Sequence, residues 1–355
     1  MGQRQHLLFP LSLVFKHPAR TSRGVMNTKP LLLIRLIEDD REGWGEISWI
    51  RGLSRDMDAM IEGVTCNVLG EWFRGMPESE VLEHRALADF PAVRAGIEMA
   101  FRSLHAEHPF LWWESPFTAG RQAIPINGLI WMDDIDQMEQ AAHQKIAEGF
   151  SCIKLKIGAH PFEQELGLIQ RLRRQYGAEL EIRVDANGAF SPTQALSYLE
   201  QLAALDVHSI EQPIAPGQPE TMAALVEQSP LPIALDEELV RADSEAAMKK
   251  LIDIIRPHYI ILKPSLIGGF TRSEQLLNHI RALGGDGWVT SALESNIGLT
   301  AIAQWTATLH PTLPQGLGTG TLYQTNFSMP LHISRGRLHW TGPPPNPQET
   351  IFPLL

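Results

Sequence analysis

Two kinds of hydrophobic pattern divide the chain. Near the start, apolar blocks at 7–15 and 31–37, followed by Gly43-Trp44-Gly45-Glu46, read as an antiparallel meander, with the polar stretch 16–24 between its first two strands. From 55 to 108 apolar positions recur at helical spacing instead, as in Met57, Ala59 and Met60, and again in Ala95, Ile97, Met99 and Ala100. Beyond about residue 120, short apolar strands alternate with amphipathic stretches, the sequence form of repeated βα units. Candidate strands fall at 124–130, 152–157, 181–185, 209–211, 233–236, 259–263, 288–291 and 315–318, and eight such strands fit a barrel. The tail 326–355 is rich in proline, with Pro343 to Pro345 in a run, and reads as extended chain packing back on the first unit. The expected class is therefore α/β: an N-terminal α+β domain over 1–118, completed by 326–355, and a β/α barrel over 119–325.

Length is compatible with this division, since 355 residues exceed one ordinary domain while an α/β barrel alone fills ~250. With 44% hydrophobic and 20% charged residues the composition is that of a globular protein, and no apolar run approaches the ~18 residues of a membrane span. A net charge of −11 opposes phosphate backbones, and no basic stripe with interleaved aromatics offsets it, so neither nucleic acid nor membrane is an expected partner. An anionic small molecule, by contrast, needs a locally positive site. Two cysteines, Cys66 and Cys152, make no disulfide framework and point to a reducing, cytoplasmic setting. Arg4 ahead of the apolar stretch 7–15 resembles a short signal peptide, but Pro10 interrupts it and no small-x-small cleavage site follows, so a first strand is the expectation. The Met-Gly start also lacks the Ser/Thr at position six that acylation requires.

Charge at the strand ends carries the chemistry. Lys154 and Lys156, Asp185, Glu211, Asp236 and Lys263 each close a candidate strand, and intervals of 29, 26, 25 and 27 residues separate Lys156 from Asp185, Glu211, Asp236 and Lys263 in turn. In parallel β/α folds the C-terminal strand ends build the active site, so three acids and three lysines should converge on one mouth. Side chains alternate faces along a strand, so Cys152, Lys154 and Lys156 share one face of their strand, as Arg183, Asp185 and Asn187 share one face of theirs. A lone Lys-x-Lys is more often an edge strand with solvated lysines, and a lone Asp a helix cap or, in Asp185-Ala186-Asn187-Gly188, a turn. Recurrence over five successive units favours function. Asp185, Glu211 and Asp236 offer hard oxygen ligands suited to Mg²⁺, and Glu237 and Glu238 stand beside them.

Taken in order, Lys154-x-Lys156, Asp185-x-Asn187, Glu211-Gln212-Pro213, Asp236-Glu237 and Lys263-Pro264, with a preceding helix around Ala95-x-x-Glu98-x-Ala100, resemble the enolase superfamily, muconate-lactonising subgroup, over nearly the whole chain. The resemblance implies a modified TIM (β/α) barrel under an N-terminal α+β capping domain. It implies Asp185, Glu211 and Asp236 as ligands of Mg²⁺, with Mn²⁺ an acceptable substitute, and Lys156 and Lys263 as opposed catalytic lysines assisted by Lys154. The segments 18–25, 126–132 and 290–298 resemble the o-succinylbenzoate synthase family within it. That implies a small-molecule carboxylate substrate and, for menaquinone biosynthesis, syn-dehydration of 2-succinyl-6-hydroxy-2,4-cyclohexadiene-1-carboxylate through a Mg-stabilised enediolate. Ser22, Arg23, Asn187, Thr290, Ser291 and Gly318 are the candidate substrate contacts.

The general base sets a physical demand, because a lysine near pKa ~10.4 is protonated at neutral pH. A second ammonium at Lys154, one pleat or ~6–7 Å away, and a divalent cation both oppose protonation of Lys156. Two competing readings stand beside dehydration. N-succinylamino acid racemases and dipeptide epimerases of the same superfamily use the same lysines, but dipeptide epimerases usually carry Asp-x-Asp after the eighth strand. Here that stretch reads Gly318-Thr319-Gly320-Thr321-Leu322-Tyr323, without an acid. A non-catalytic binding barrel is the other, and retention of every ligand and both lysines argues against it. The sequence sets no oligomeric state.

Overall fold

The protein is described from a computed structural model, which covers residues 4–21 and 24–354. Strands β1 (Arg4–Thr21), β2 (Gly24–Glu38) and β3 (Arg41–Ser48) form an antiparallel sheet in that order. The continuous apolar run in β2 has a specific cause: the strand is buried on both faces. Leu31 and Leu33 belong to the core shared with the barrel, whereas Leu32, Ile34 and Leu36 face a second core built with the helices that follow, including Trp72, Val93 and Ile97. The stretch 16–21, expected as a polar connection, is instead part of β1. In the sheet β1 pairs with β2, its other side meets the segment at 322–324 through the Phe15–Tyr323 bridge, and the ladder shifts register between Val14 and Ala19, around Pro18.

Short strands then alternate with helices. In chain order they are β4 (Ile124–Pro125), β5 (Gly128–Ile130), β6 (Cys152–Lys156), β7 (Glu181–Asp185), β8 (Ser209–Glu211), β9 (Ile233–Leu235), β10 (Tyr259–Leu262) and β11 (Asp286–Val289). β5 to β11 make one parallel sheet of seven strands in sequential order. The eighth expected strand, 315–318, is reduced to single bridges: Gln315 pairs with Ile126 and Gly316 with Thr290. Those bridges lie on the two edges of the sheet and close it into a barrel. A side chain at position 316 would put its Cβ 2.6 Å from Thr290 Cγ2, so closure at this seam requires glycine. The expected strand 124–130 is split, because Ile124 and Pro125 pair outside the barrel with β13 (Arg337–Trp340) of the tail hairpin, whose first strand is β12 (Leu331–Ser334). The tail also reaches the first sheet, where the Phe352 ring lies 6.3 Å from that of Phe9.

Barrel strands are apolar outward and selectively charged inward. Ile153, Leu155, Ile182 and Val184 join the main core under the helices, while the lower interior is filled by Ala234, Ile261 and Trp288, with the Arg183 guanidinium 4.2 Å over the Trp288 ring. Register then puts Lys156 beside Asp185 and Asp185 beside Glu211 in one row.

Helix Pro91–Leu104 joins the first sheet to the barrel. Its Glu98 carboxylate accepts from Phe270 N at 3.0 Å and Thr271 N at 2.9 Å, capping the barrel helix Phe270–Ala282. Glu98→Ala should therefore lower unfolding free energy by about 1–3 kcal/mol in a urea titration. Glu107→Ala, at an exposed glutamate, should stay within about 0.5 kcal/mol of the parent.

Candidate active site

All six charged residues anticipated at the strand ends meet at the C-terminal mouth. Lys154 Nζ lies 3.0 Å from Asp185 Oδ2 and also donates to Glu211 Oε2 in a short contact. Lys156 Nζ donates to Asp185 Oδ2 at 2.9 Å and to Asn187 Oδ1 at 3.0 Å. Lys263 Nζ donates to Asp236 Oδ2 in a second short contact and stands 4.0 Å from Glu211 Oε1. Lys156 and Lys263 sit at the ends of β6 and β10, four strands apart in a barrel closed by an eighth segment, and so approach the mouth from opposite walls.

The electrostatics follow from burial and these pairs. Burial alone would lower the Lys154 ammonium, but Asp185, Glu211 and Asp236 outweigh it and hold the group above the ordinary lysine value. The same balance, with Asp236 and Glu211 as the main partners, raises Lys263. Burial pushes the Asp185 carboxyl up, yet Lys154 and Lys156 together hold it well below the usual range. Glu211 is pushed up by burial and by the neighbouring Asp185. Lys154 is thus not a bare charge beside Lys156, as its position on the strand suggested, but a cation clasped between two carboxylates.

These carboxylates suit a hard cation. Three oxygen-donor side chains come from successive strands, and Glu211 Oε1 and Asp236 Oδ1 are buried without a hydrogen-bond partner. Among the described residues no three His, Cys, Asp or Glu side chains are gathered around one point, because the Lys154 and Lys263 ammonium groups stand between the acids. Asp236 occupies the N-cap position of Glu237–Val240 without making a side-chain cap, which leaves its carboxylate to the cluster.

Local backbone explains how the acids are aimed. Asp185 Oδ1 accepts from Asn187 N at 3.1 Å and Asn187 adopts φ of 45°, so Asp185-Ala186-Asn187-Gly188 is a turn as well as a site. Asn187 Nδ2 donates to Glu237 Oε1 at 2.9 Å, placing Asn187 between Glu237 and Lys156. Gln212, at φ of 40°, accepts at Oε1 from Asp236 N at 3.3 Å and Glu238 N at 3.1 Å. The Glu-Gln-Pro motif thereby ties the end of β8 to the end of β9. Glu238 turns away from the cluster, accepting from Gly217 N at 2.9 Å.

Lys154, Lys156, Asp185, Asn187 and Lys263 line a cavity of about 470 Å³. Thr290, Ser291 and Gly318 line it too, and Ser291 Oγ shares a 2.6 Å hydrogen bond with Thr319 Oγ1. Ser22 and Arg23 lie outside the described residues. Sequence reasoning named none of Met26, Ile50 and Leu53 on the apolar side of the cavity, and included Trp131, Leu293 and the polar Asn127 only within the segments 126–132 and 290–298, not as contacts. Asn127 Oδ1 and Thr290 Oγ1 are buried without a hydrogen-bond partner among the described residues. Asn127 lay within the segment 126–132 that carries the family resemblance, but without a charge to mark it as a contact.

The profile of the enolase C-terminal domain-like family matches residues 137–345. Over 355 aligned residues the chain is 44% identical to the o-succinylbenzoate synthase of Desulfotalea psychrophila (strain LSv54 / DSM 12343), covering 92% of this chain and 96% of the relative. It is similar to the crystal structure of MenC from Desulfotalea psychrophila LSv54, with a TM-score of 0.83, 40% identity and coverage of 95% and 99% of the two chains. The L-Ala-D/L-Glu epimerase of Bacillus subtilis shares the fold at a TM-score of 0.85 and 20% identity, covering 97% and 98%. Gln212→Ala should leave the Asp236 and Glu238 amides without acceptors and cost about 1–3 kcal/mol of stability, measured by thermal or urea unfolding.

Proposed function

We propose, because the chain belongs to the enolase C-terminal domain-like family, that it carries out the o-succinylbenzoate synthase reaction. Its substrate is then 2-succinyl-6-hydroxy-2,4-cyclohexadiene-1-carboxylate, its product 2-succinylbenzoate, and its setting menaquinone biosynthesis in the cytoplasm. The observation that carries the choice is the 44% identity to the Desulfotalea psychrophila enzyme across nearly the full length of both chains. The cavity wall supports it over dipeptide epimerisation: Gly318, Thr319, Thr321 and Leu322 line that wall and supply no carboxylate to hold a substrate ammonium. Two free cysteines accord with a reducing compartment, and among the described residues no helix is long and apolar enough to cross a membrane.

Asp185, Glu211 and Asp236 would hold Mg²⁺, or Mn²⁺ in its stead, and the cation would supply the electrophile that makes loss of a proton beside a carboxylate feasible, the pattern general to enolase-superfamily sites. Lys156 takes that proton and returns it to the departing hydroxyl on the same face, so that water leaves and the ring becomes aromatic. Asn187 and Asp185 hold the Lys156 Nζ at the cavity wall while it does so. From the opposite wall Lys263 stays cationic and stabilises the charge that develops on the substrate carboxylate, a contribution of several kcal/mol in a site shielded from water. Lys154 balances Asp185 and Glu211. The succinyl arm meets the Thr290, Ser291 and Gly318 wall, with Ser22 and Arg23 as further contacts.

Removal of divalent cations should abolish turnover of the cyclohexadiene carboxylate, and Mg²⁺ or Mn²⁺ should restore it. Full activity in excess EDTA would overturn the metal assignment. Arginine keeps a positive charge but does not readily release a proton, its pKa being above ~12. Lys156→Arg should therefore be almost inactive in dehydration, whereas Lys263→Arg should retain measurable dehydration. Steady-state assays with folding checked by circular dichroism decide the matter: equal, complete loss in both folded variants would instead assign proton transfer to Lys263.

A further inference from the structure

Gly43-Trp44-Gly45-Glu46 takes no part in the chemistry above, yet its geometry reaches the cavity. On β3, a Cβ at position 45 would lie 2.1 Å from Gly96 O, so glycine there lets the strand press directly on helix Pro91–Leu104. Glu46, fully buried, projects across the boundary to the barrel. Its Oε1 accepts from Ser295 N at 2.9 Å, and its Oε2 from Ser295 Oγ at 2.5 Å and Gly298 N at 2.9 Å, at the start of helix Asn296–Thr308. The helix start is itself shaped for this contact, because a Cβ at position 298 would lie 2.9 Å from Glu46 Oε2.

One residue before Ser295 stands a second fully buried carboxylate. Glu294 Oε1 accepts from Ser265 Oγ at 2.6 Å, and Oε2 accepts from Ala292 N at 2.7 Å. Ser265 lies in the turn Pro264–Ile267 directly after Lys263, and Ala292 follows Thr290 and Ser291 in the cavity wall. Lys29, on β2 of the first sheet, is buried against Ser48 Oγ at 2.8 Å and offsets part of the cost of burying both acids. Two carboxylates thus connect, in sequence, the first sheet, the helix start at 295–298, the cavity wall at 290–293 and the Lys263 turn.

We propose that Glu46 and Glu294 are positioning residues for the reaction: Glu294, through Ser265 and Ala292, and Glu46, through Gly298 and through Ser295 next to Glu294, set where Lys263 and the 290–293 wall stand relative to the substrate. Neither carboxylate lines the cavity, so each acts through other groups. Because Lys263 serves through charge, its distance from the developing anion governs its effect, and a misplacement near 1 Å costs up to ~100-fold in rate. The proposal rests on the role assigned to Lys263 above.

The test uses the full-length protein with Mg²⁺ and three variants, Ser265→Ala, Glu294→Gln and Glu46→Gln. Each should lower kcat for dehydration by roughly tenfold or more, leave KM within about threefold, and keep the parent's unfolding midpoint to within a few degrees. Ser265→Ala combined with Glu294→Gln should be no slower than the slower single variant, since both break one link. Amide hydrogen exchange over 290–299, which needs no substrate, should rise in Glu294→Gln and Glu46→Gln. If Glu294→Gln fails to fold, Ser265→Ala, which removes only a hydroxyl, decides alone. Unchanged kcat in a folded Ser265→Ala variant, or additive losses in the double variant, overturns the proposal. Should the parent protein exchange an α-proton in D₂O but dehydrate nothing, the assigned reaction fails, and the same variants read on proton exchange still decide this inference.

Discussion

Mutual neutralisation of Asp185, Glu211 and Asp236 by Lys154, Lys156 and Lys263 is the constraint on which this structure depends. A buried ion costs several kcal/mol to desolvate, and a single unpaired charge in the barrel mouth would be expelled or neutralised by a shift of its pKa. Six charges placed together offset one another in a shared network: Lys154 between Asp185 and Glu211, Lys156 on Asp185, Lys263 on Asp236. Removing any of the three lysines would leave a buried carboxylate facing its acidic neighbours with less compensation. The same pairing places carboxylate oxygens and lysine amines side by side at the barrel mouth.

Much of this was legible in the sequence because charge at the end of an apolar strand is costly unless it has a purpose. Side-chain alternation put Lys154 and Lys156 on one face, and register confirms it by aligning Lys154 with Arg183 and Lys156 with Asp185. The intervals between strand ends gave the barrel its repeat. What stayed hidden involves neutral or backbone partners, which leave no periodic trace. Gln212 lay in plain view in Glu211-Gln212-Pro213, but nothing in the sequence tells that its amide would accept from Asp236 N and Glu238 N. Asn127 and the apolar side from Met26, Ile50 and Leu53 belong to segments whose hydrophobicity also fits an ordinary core. The stretch 16–21 was misjudged because polarity was taken as a sign of a connection between strands, whereas it continues β1.

Carboxylates recur at the boundary between the first sheet and the barrel for a physical reason. Helix starts there present unsatisfied amides in a dry interface, and an anion supplied from outside the helix satisfies them and meets the positive end of the helix dipole. Glu98 does so for Phe270–Ala282 and Glu46 for Asn296–Thr308. Both helices follow loops that border the site, one after Lys263 and one after Thr290 and Ser291. The N-terminal unit, through one strand carboxylate and one helix carboxylate, therefore completes the hydrogen bonding of barrel elements that border the site.

The barrel's closure by Gln315 and Gly316 alone also has a meaning for the growing chain. Strands β5 to β11 can pair in the order in which they leave the ribosome, each finding a neighbour already made. The outer edges of β5 and β11 gain their partners only when residues 315–316 arrive, and β4 waits longer still, for β13. Until then the sheet is an open, curled ribbon with two unsatisfied borders, the form of a parallel sheet most exposed to wrong pairing. Residues 315–316 are thus the point at which two open sheet borders become one closed ring.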